Sequence, residues 1–133
     1  SVGRGTDYPF QMLGHPQLSI SSQAISVTPI SMPTSAPYPK WENTPLQAIL
    51  IEQYQPSLAG FDISLLLSMF ALADEQRIEL ITAPDFFDQL AGTTTLRTDL
   101  QAGKTVSEIT EQWHQPLAHY RQLRLPYLLY PAE

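Results

Sequence analysis

The sequence predicts an α+β fold: a small mixed or antiparallel sheet with three to four helices, the helices filling the C-terminal half. Three observations carry this expectation. Seven of the 12 prolines lie before residue 46. Because proline fixes φ and lacks an N–H donor, that stretch should be loop, turn and edge strand. Two short segments, one within this stretch and one directly after it, have the pattern of strands. Beyond residue 60, helix start and stop signals recur at close intervals. At 133 residues the chain suits one compact domain over 1–133. Apolar residues make up 43% and charged residues 15%, which gives enough apolar surface for a core and argues against wholesale disorder.

The elements follow in order. Ala24–Thr28 alternates apolar and polar residues and stops at Pro29, which reads as a short strand. Leu46 to Gln53, held between Pro45 and Pro56 with an apolar centre, reads as the best-buried strand. Asp62 is placed to accept from free first-turn N–H groups and cap a helix from Ile63 to about Ala73. That helix is apolar nearly all round and is expected to be buried. Asp85 is placed to cap a short helix through Leu90 that Gly92 ends. Thr94 or Thr95 starts another, running to Ala102 with Gly103 behind it. Thr105-Val106-Ser107-Glu108 is a capping-box pattern, in which two free N–H groups are satisfied reciprocally. Behind it, Val106, Ile109, Trp113, Leu117 and Tyr120 form one apolar stripe. Pro116 is expected to kink this helix, and the tail Leu125–Tyr130 to be strand-like.

Composition excludes several function classes. Acids outnumber bases 13 to 7, for a net charge of −6, which argues against nucleic acid as a partner. There is no Cys, so disulfides, thiol catalysis and Cys-based zinc sites are excluded. The longest strongly apolar run, Ile63 to Ala73, is broken by Ser64 and Ser68. A bilayer span needs about 20 residues, so no membrane insertion is expected. No signal-peptide pattern stands at the N-terminus.

Among short motifs, Gly3-Arg4-Gly5-Thr6-Asp7 is the most informative. Its glycines permit positive φ and close backbone approach. Arg4 can present a planar fork to a carboxylate or phosphate. The plainer reading is an Arg-anchored turn in which Thr6 or Asp7 caps the segment from Tyr8 to Leu13. It is not a phosphate loop, because the Gly-Lys-Ser/Thr end is missing. His114 and His119 are five apart, a spacing unlike that of ligands on one helical face, so no metal site is expected. His15, before Pro16 in an expected turn, is a candidate ligand contact. The acid pairs Asp74/Glu75, Asp85/Asp88 and Glu108/Glu111 meet the residue-type demand of a glycosidase. Each is better explained by capping or by a polar helix exit. Tyr38, Trp41 and Tyr54 are candidates for stacking on sugar faces, although core packing is favoured for each. Arg121, Arg124, Tyr127 and Tyr130 read as a C-terminal segment clamped by aromatics and salt bridges.

The opening Ser-Val-Gly-Arg-Gly-Thr-Asp-Tyr-Pro-Phe-Gln, then Gly14-His15-Pro16, resembles the NamZ-type exo-β-N-acetylmuramidases. Phe86–Gly92 is similar to that family's Phe-x-x-Leu-x-Gly segment. Leu96-Arg97, Gly103 and Trp113 follow in order. Arg124-Leu125-Pro126-Tyr127-Leu128-Leu129-Tyr130 resembles its close. The likeness spans nearly the whole chain and is weakest from Leu18 to Pro45; a Cys common near the family's central strand is absent.

The resemblance implies the C-terminal domain of a longer, two-domain protein with an N-terminal Rossmann-like domain and the active-site cleft between them. The implied activity is that of a glycoside hydrolase in peptidoglycan recycling, releasing N-acetylmuramic acid from non-reducing ends. The implied partners are that N-terminal domain and peptidoglycan-derived muramic acid saccharides. The implied location is the cell envelope or secreted (periplasmic). Many members carry a Glu-Gly-Thr-Asn run just before the opening motif, so the catalytic carboxylates are expected in the N-terminal part and none in this chain, which by itself is expected to be inactive. Arg4, Gly5, Thr6 and His15 are the expected substrate-binding residues, with no cofactor and no metal. Arg4 is matched to the lactyl carboxylate of muramic acid. An apolar patch near residues 1–16 is expected where the partner domain would sit. The alternative is a non-enzymatic glycan-binding or protein-interaction module, and a third possibility is a relative that kept the fold and lost the activity.

Overall fold

The computed structural model describes residues 1–20, 24–53 and 61–130. The chain divides into two compact units, Ser1–Leu80 and Ile81–Glu133, and the fold is α+β with a helical C-terminal half. Tyr54, a candidate for stacking on a sugar face, lies outside the described residues.

The first unit is built on a three-stranded antiparallel sheet, β1 (Met12–His15), β2 (Ile25–Val27) and β3 (Leu46–Leu50), in the order β1-β3-β2. The strand between two prolines is therefore the central one. Met12 stands opposite Leu50, Gly14 opposite Ala48 and Val27 opposite Leu46. Side chains alternate across a strand, so Leu46, Ala48 and Leu50 of β3 share one face. They form a core with Met12, against which Tyr8, Ile25, Val27 and Trp41 pack. The other face carries Leu13 and Ile49, and it packs on helix α1 (Ser64–Glu75) through Leu18, Leu65, Met69 and Ala73. The loop after β1 is tied to the end of α1 by a reciprocal pair. The Ser19 N–H donates to Gln76 Oε1 at 2.8 Å, and Gln76 Nε2 donates to the Ser19 carbonyl at 2.9 Å.

Three expectations for this unit change. Met12–His15 is a strand, where a capped segment and then a turn were expected. The second predicted strand stops at Leu50 and passes into a 3-10 turn, Ile51–Gln53. Helix α1 is buried along one stripe only; Leu66, Leu67 and Phe70 stay half-exposed, because a narrow sheet covers a single side of a helix. Asp62 does serve the helix start: its carboxylate accepts from the Ser64 N–H at 2.7 Å and from the Ser64 hydroxyl.

The second unit is helical: α2 (Pro84–Ala91), α3 (Thr95–Gln101), α4 (Val106–Glu111) and α5 (His114–Arg124), followed by a 3-10 turn, Leu125–Tyr127. Helix α2 begins with Pro84 at its first position, where the missing N–H is no loss. Asp85 therefore sits inside the first turn and does not cap it. Left-handed Gly92 and Gly103 end α2 and α3. The capping box forms: Thr105 Oγ1 accepts from the Glu108 N–H at 3.3 Å, and the Glu108 carboxylate accepts from the Thr105 N–H at 2.8 Å.

The kink expected at Pro116 appears earlier, as a break at Gln112–Trp113 that separates α4 from α5. Pro116 cannot donate to the carbonyl four residues back, that of Gln112. The helix therefore restarts so that Pro116 falls in its first turn, where no donor is required. The tail is not strand-like. Nor is it clamped: Tyr127 and Tyr130 are exposed, and among the described residues Arg121 and Arg124 make no ion pair.

Candidate functional site

The segment Gly3–Thr6 is a tight turn. The Thr6 N–H donates to the Gly3 carbonyl at 3.1 Å, and Gly5 holds φ +82°, the left-handed third position of the type II pattern. The Thr6 hydroxyl donates to the same Gly3 carbonyl at 2.7 Å and accepts from the Tyr8 N–H at 3.1 Å. Thr6 thus closes the turn and, of the two residues expected to cap the segment from Tyr8, is the one that accepts from the Tyr8 N–H. Gly5 is buried, and its carbonyl accepts from the Ile30 N–H at 2.8 Å. A Cβ on Gly5 would lie 2.7 Å from the Ile30 carbonyl oxygen and 2.7 Å from Pro39 Cβ. The turn is therefore pressed against the Pro-rich loop after β2.

That loop brings a further group of side chains. His15, the last residue of β1, is buried, and its ring meets the Trp41 ring edge-on at 5.2 Å and 79°. His15 Nδ1 accepts from the Gln17 N–H at 3.2 Å. Burial lowers the His15 pKa, with Lys40 adding to the effect. The imidazole is thereby kept neutral, as acceptance at Nδ1 requires. Lys40 Nζ stands 5.6 Å from the Trp41 ring centroid. Trp41 holds a left-handed φ of +66°, uncommon for a bulky residue. Its Nε1 is buried with no acceptor among the described residues.

The predicted site residues therefore fall into two kinds. Gly5, Thr6 and His15 are engaged within the fold. Arg4 lies at the exposed second position of the turn with no partner recorded among the described residues. Sequence reasoning missed Lys40 and the pairing of Trp41 with His15; the only local signal was the aromatic in a Pro-rich loop. Tyr38, for which core packing was favoured, is 91% exposed, while Trp41 does pack on the core. Of the expected patch near residues 1–16, Phe10 and Val2 are exposed, whereas Tyr8 and Leu13 are half-buried. A separate cleft of ≈ 250 Å³ beside Pro16, Leu18, Ser26 and Gln47 includes none of Arg4, Gly5, Thr6 or His15. The cleft is lined by neutral residues, serine and glutamine among them, whereas the turn offers a cation.

Of the acid pairs, Asp88 and Glu108 have structural roles, the latter in the capping box. Asp88 is held by Arg97 through Nε to Oδ1 at 2.9 Å and Nη2 to Oδ2 at 2.8 Å. Asp99, a buried acid the sequence did not single out, binds Lys104 at 2.6 Å and Gln112 at 2.9 Å, joining α3 to α4. The Lys104 contact, then the Gln112 one, holds the Asp99 pKa below the usual carboxylate range. No cluster of metal-ligating side chains exists among the described residues, and no helix there is long and apolar enough to cross a membrane.

The first unit thus combines a sheet and a helix and presents one exposed arginine on a turn built with two left-handed glycines. The chain belongs to the family described as exo-β-N-acetylmuramidase NamZ, C-terminal, whose model matches residues 1–130. It is also similar to the crystal structure of a DUF1343 family protein from Bacteroides fragilis, with a TM-score of 0.80 and 27% identity. That match covers 100% of this chain and 37% of the other, so the chain spans little more than a third of that protein's length. No curated protein matches the sequence.

Proposed function

We propose that this chain is the C-terminal part of a peptidoglycan-recycling glycoside hydrolase and forms one wall of its substrate cleft. The activity would be release of N-acetylmuramic acid from non-reducing ends, with the catalytic carboxylates on an N-terminal Rossmann-like domain. The chain by itself would be inactive, and the whole protein would act in the cell envelope or outside the cell.

The observation that carries this reading is Arg4. Its neighbours in the turn are committed to backbone contacts, whereas its guanidinium is exposed. A planar fork held out on a stiff turn suits the lactyl carboxylate that distinguishes muramic acid from glucosamine. Lys40 adds a second positive charge beside Trp41.

The test is kinetic, on the protein as its gene encodes it, with a chromogenic N-acetylmuraminide. Arg4→Ala should raise KM about 10- to 100-fold, the equivalent of one charge-assisted hydrogen bond of about 1.5–3 kcal/mol, with kcat nearly constant. The same variant should leave the KM of an N-acetylglucosaminide unchanged. Equal kinetics for wild type and variant on the muraminide would sink the assignment of Arg4. Absence of any hydrolysis by the wild type would favour a binding module.

A further inference from the structure

Helix α5 and the residues after it form the most extensive exposed apolar surface of the second unit. No residue of α5 is buried. Leu117, Tyr120 and Leu125 are 45%, 60% and 49% exposed, and Tyr127 and Tyr130 exceed 80%. At 100° per residue, Leu117, Tyr120, Arg121 and Arg124 fall within an arc of about 100° on one side of the helix. From Gln112 to Tyr130 there is no Asp or Glu, in a chain whose net charge is −6. Both arginines on this face lack an ion pair among the described residues. A helix with mostly polar composition does not by itself gain from placing leucine and tyrosine in water. Aromatic residues and arginine clustered on one face, with acids depleted, are the composition of a protein interface.

The family match indicates what covers it. The chain matches a C-terminal family, and the similar crystal structure has about 1.7 residues outside the matched region for each one within it, from the 37% coverage. We propose that the face of α5, with Leu117, Tyr120, Arg121 and Arg124, and the tail through Tyr130 dock on the polypeptide that precedes Ser1 in the gene-encoded protein. Its docking surface is apolar at the centre and acidic at the edge. This surface lies in the second unit, away in sequence from the Arg4 turn, and its test does not depend on enzymatic activity.

The experiment places the photo-cross-linking residue p-benzoylphenylalanine at Tyr120, and separately at Tyr127, in the gene-encoded protein. Both positions are exposed, so the substitutions leave the fold intact. Irradiation followed by peptide mass spectrometry should give intramolecular cross-links to residues preceding Ser1 from both positions. Adding Leu117→Asp should cut the yield at Tyr120 by about tenfold, the loss expected from removing one leucine and placing a charge in the contact. Cross-links chiefly to residues 1–80, to a second copy, to lipid or to nothing would each overturn the proposal. A reading frame with no polypeptide before Ser1 would do so as well.

Discussion

Gly5→Ala separates the residues that build the turn from the residue that the turn displays. At φ +82° an L-residue is disfavoured by about 1–2 kcal/mol. The new Cβ would also stand 2.7 Å from the Ile30 carbonyl oxygen and 2.7–2.8 Å from the Pro39 ring. Neither neighbour is the free end of a flexible chain, so the loop must move, and overpacking of this kind costs about 1–3 kcal/mol. The sum is about 2–5 kcal/mol. In a unit of this size each kcal/mol moves the Tm by roughly 4–8 °C, so the midpoint should fall by at least ~8 °C. The assay is thermal unfolding followed by Trp41 fluorescence in a Trp113→Phe background, which reports the loop in contact with Gly5. Arg4→Ala, one residue away and exposed, should stay within about 0.5 kcal/mol. A Gly5→Ala Tm within ~2 °C of wild type would refute the reasoning, as would an equal loss in Arg4→Ala.

Thr105→Ala removes the side chain that starts α4 and should cost about 1 kcal/mol, read as a lower urea midpoint at unchanged slope. A change in slope would mean that more than the cap was lost. Acidification tests His15. Its folded pKa lies below the ordinary imidazole value because of burial first, with the Lys40 charge adding to it. Between the folded pKa and about 6.5 the unfolded chain therefore binds more protons, and stability rises with pH there. The His15 contribution is complete above about pH 6.5 and declines as pH falls below it. His15→Gln should flatten that part of the profile, and an unchanged profile would remove His15 as its source.

What the sequence discloses here is what local chemistry decides. The two helix-ending glycines and the capping box at Thr105 rest on contacts within a few residues, and each is readable; β2 pairs with distant β3, but its alternation of apolar and polar residues is still printed locally. Strand β1 escapes because its evidence is tertiary. Gly14 looks like a turn residue, yet a Cβ there would lie 2.6 Å from the Gln47 carbonyl oxygen, so the glycine serves close strand approach. The break before α5 was misplaced for a related reason. Pro116 forbids one hydrogen bond, and the chain met that constraint by restarting the helix ahead of it instead of bending it. The contact of His15 with Trp41 joins residues 26 positions apart, across a loop with no periodic pattern to announce it.

The Arg4 turn shows how a short motif divides its tasks. Gly3 and Gly5 supply the left-handed φ values, and the Thr6 hydroxyl closes the turn on the Gly3 carbonyl. The glycines have no side chain and the Thr6 hydroxyl proton is already donated, so a donated contact to an anionic ligand would fall to Arg4. Holding the backbone in advance matters energetically. Ordering one flexible residue on binding costs about 1–2 kcal/mol, comparable to what one charge-assisted hydrogen bond returns. A turn already fixed by the fold leaves only the side-chain rotamers to be ordered, so the same guanidinium binds more tightly from it than from a mobile loop. By contrast, none of the apolar and aromatic side chains of α5 is buried. The two exposed features therefore carry separate proposals, a single charged group toward a small anionic ligand and a broad surface toward protein.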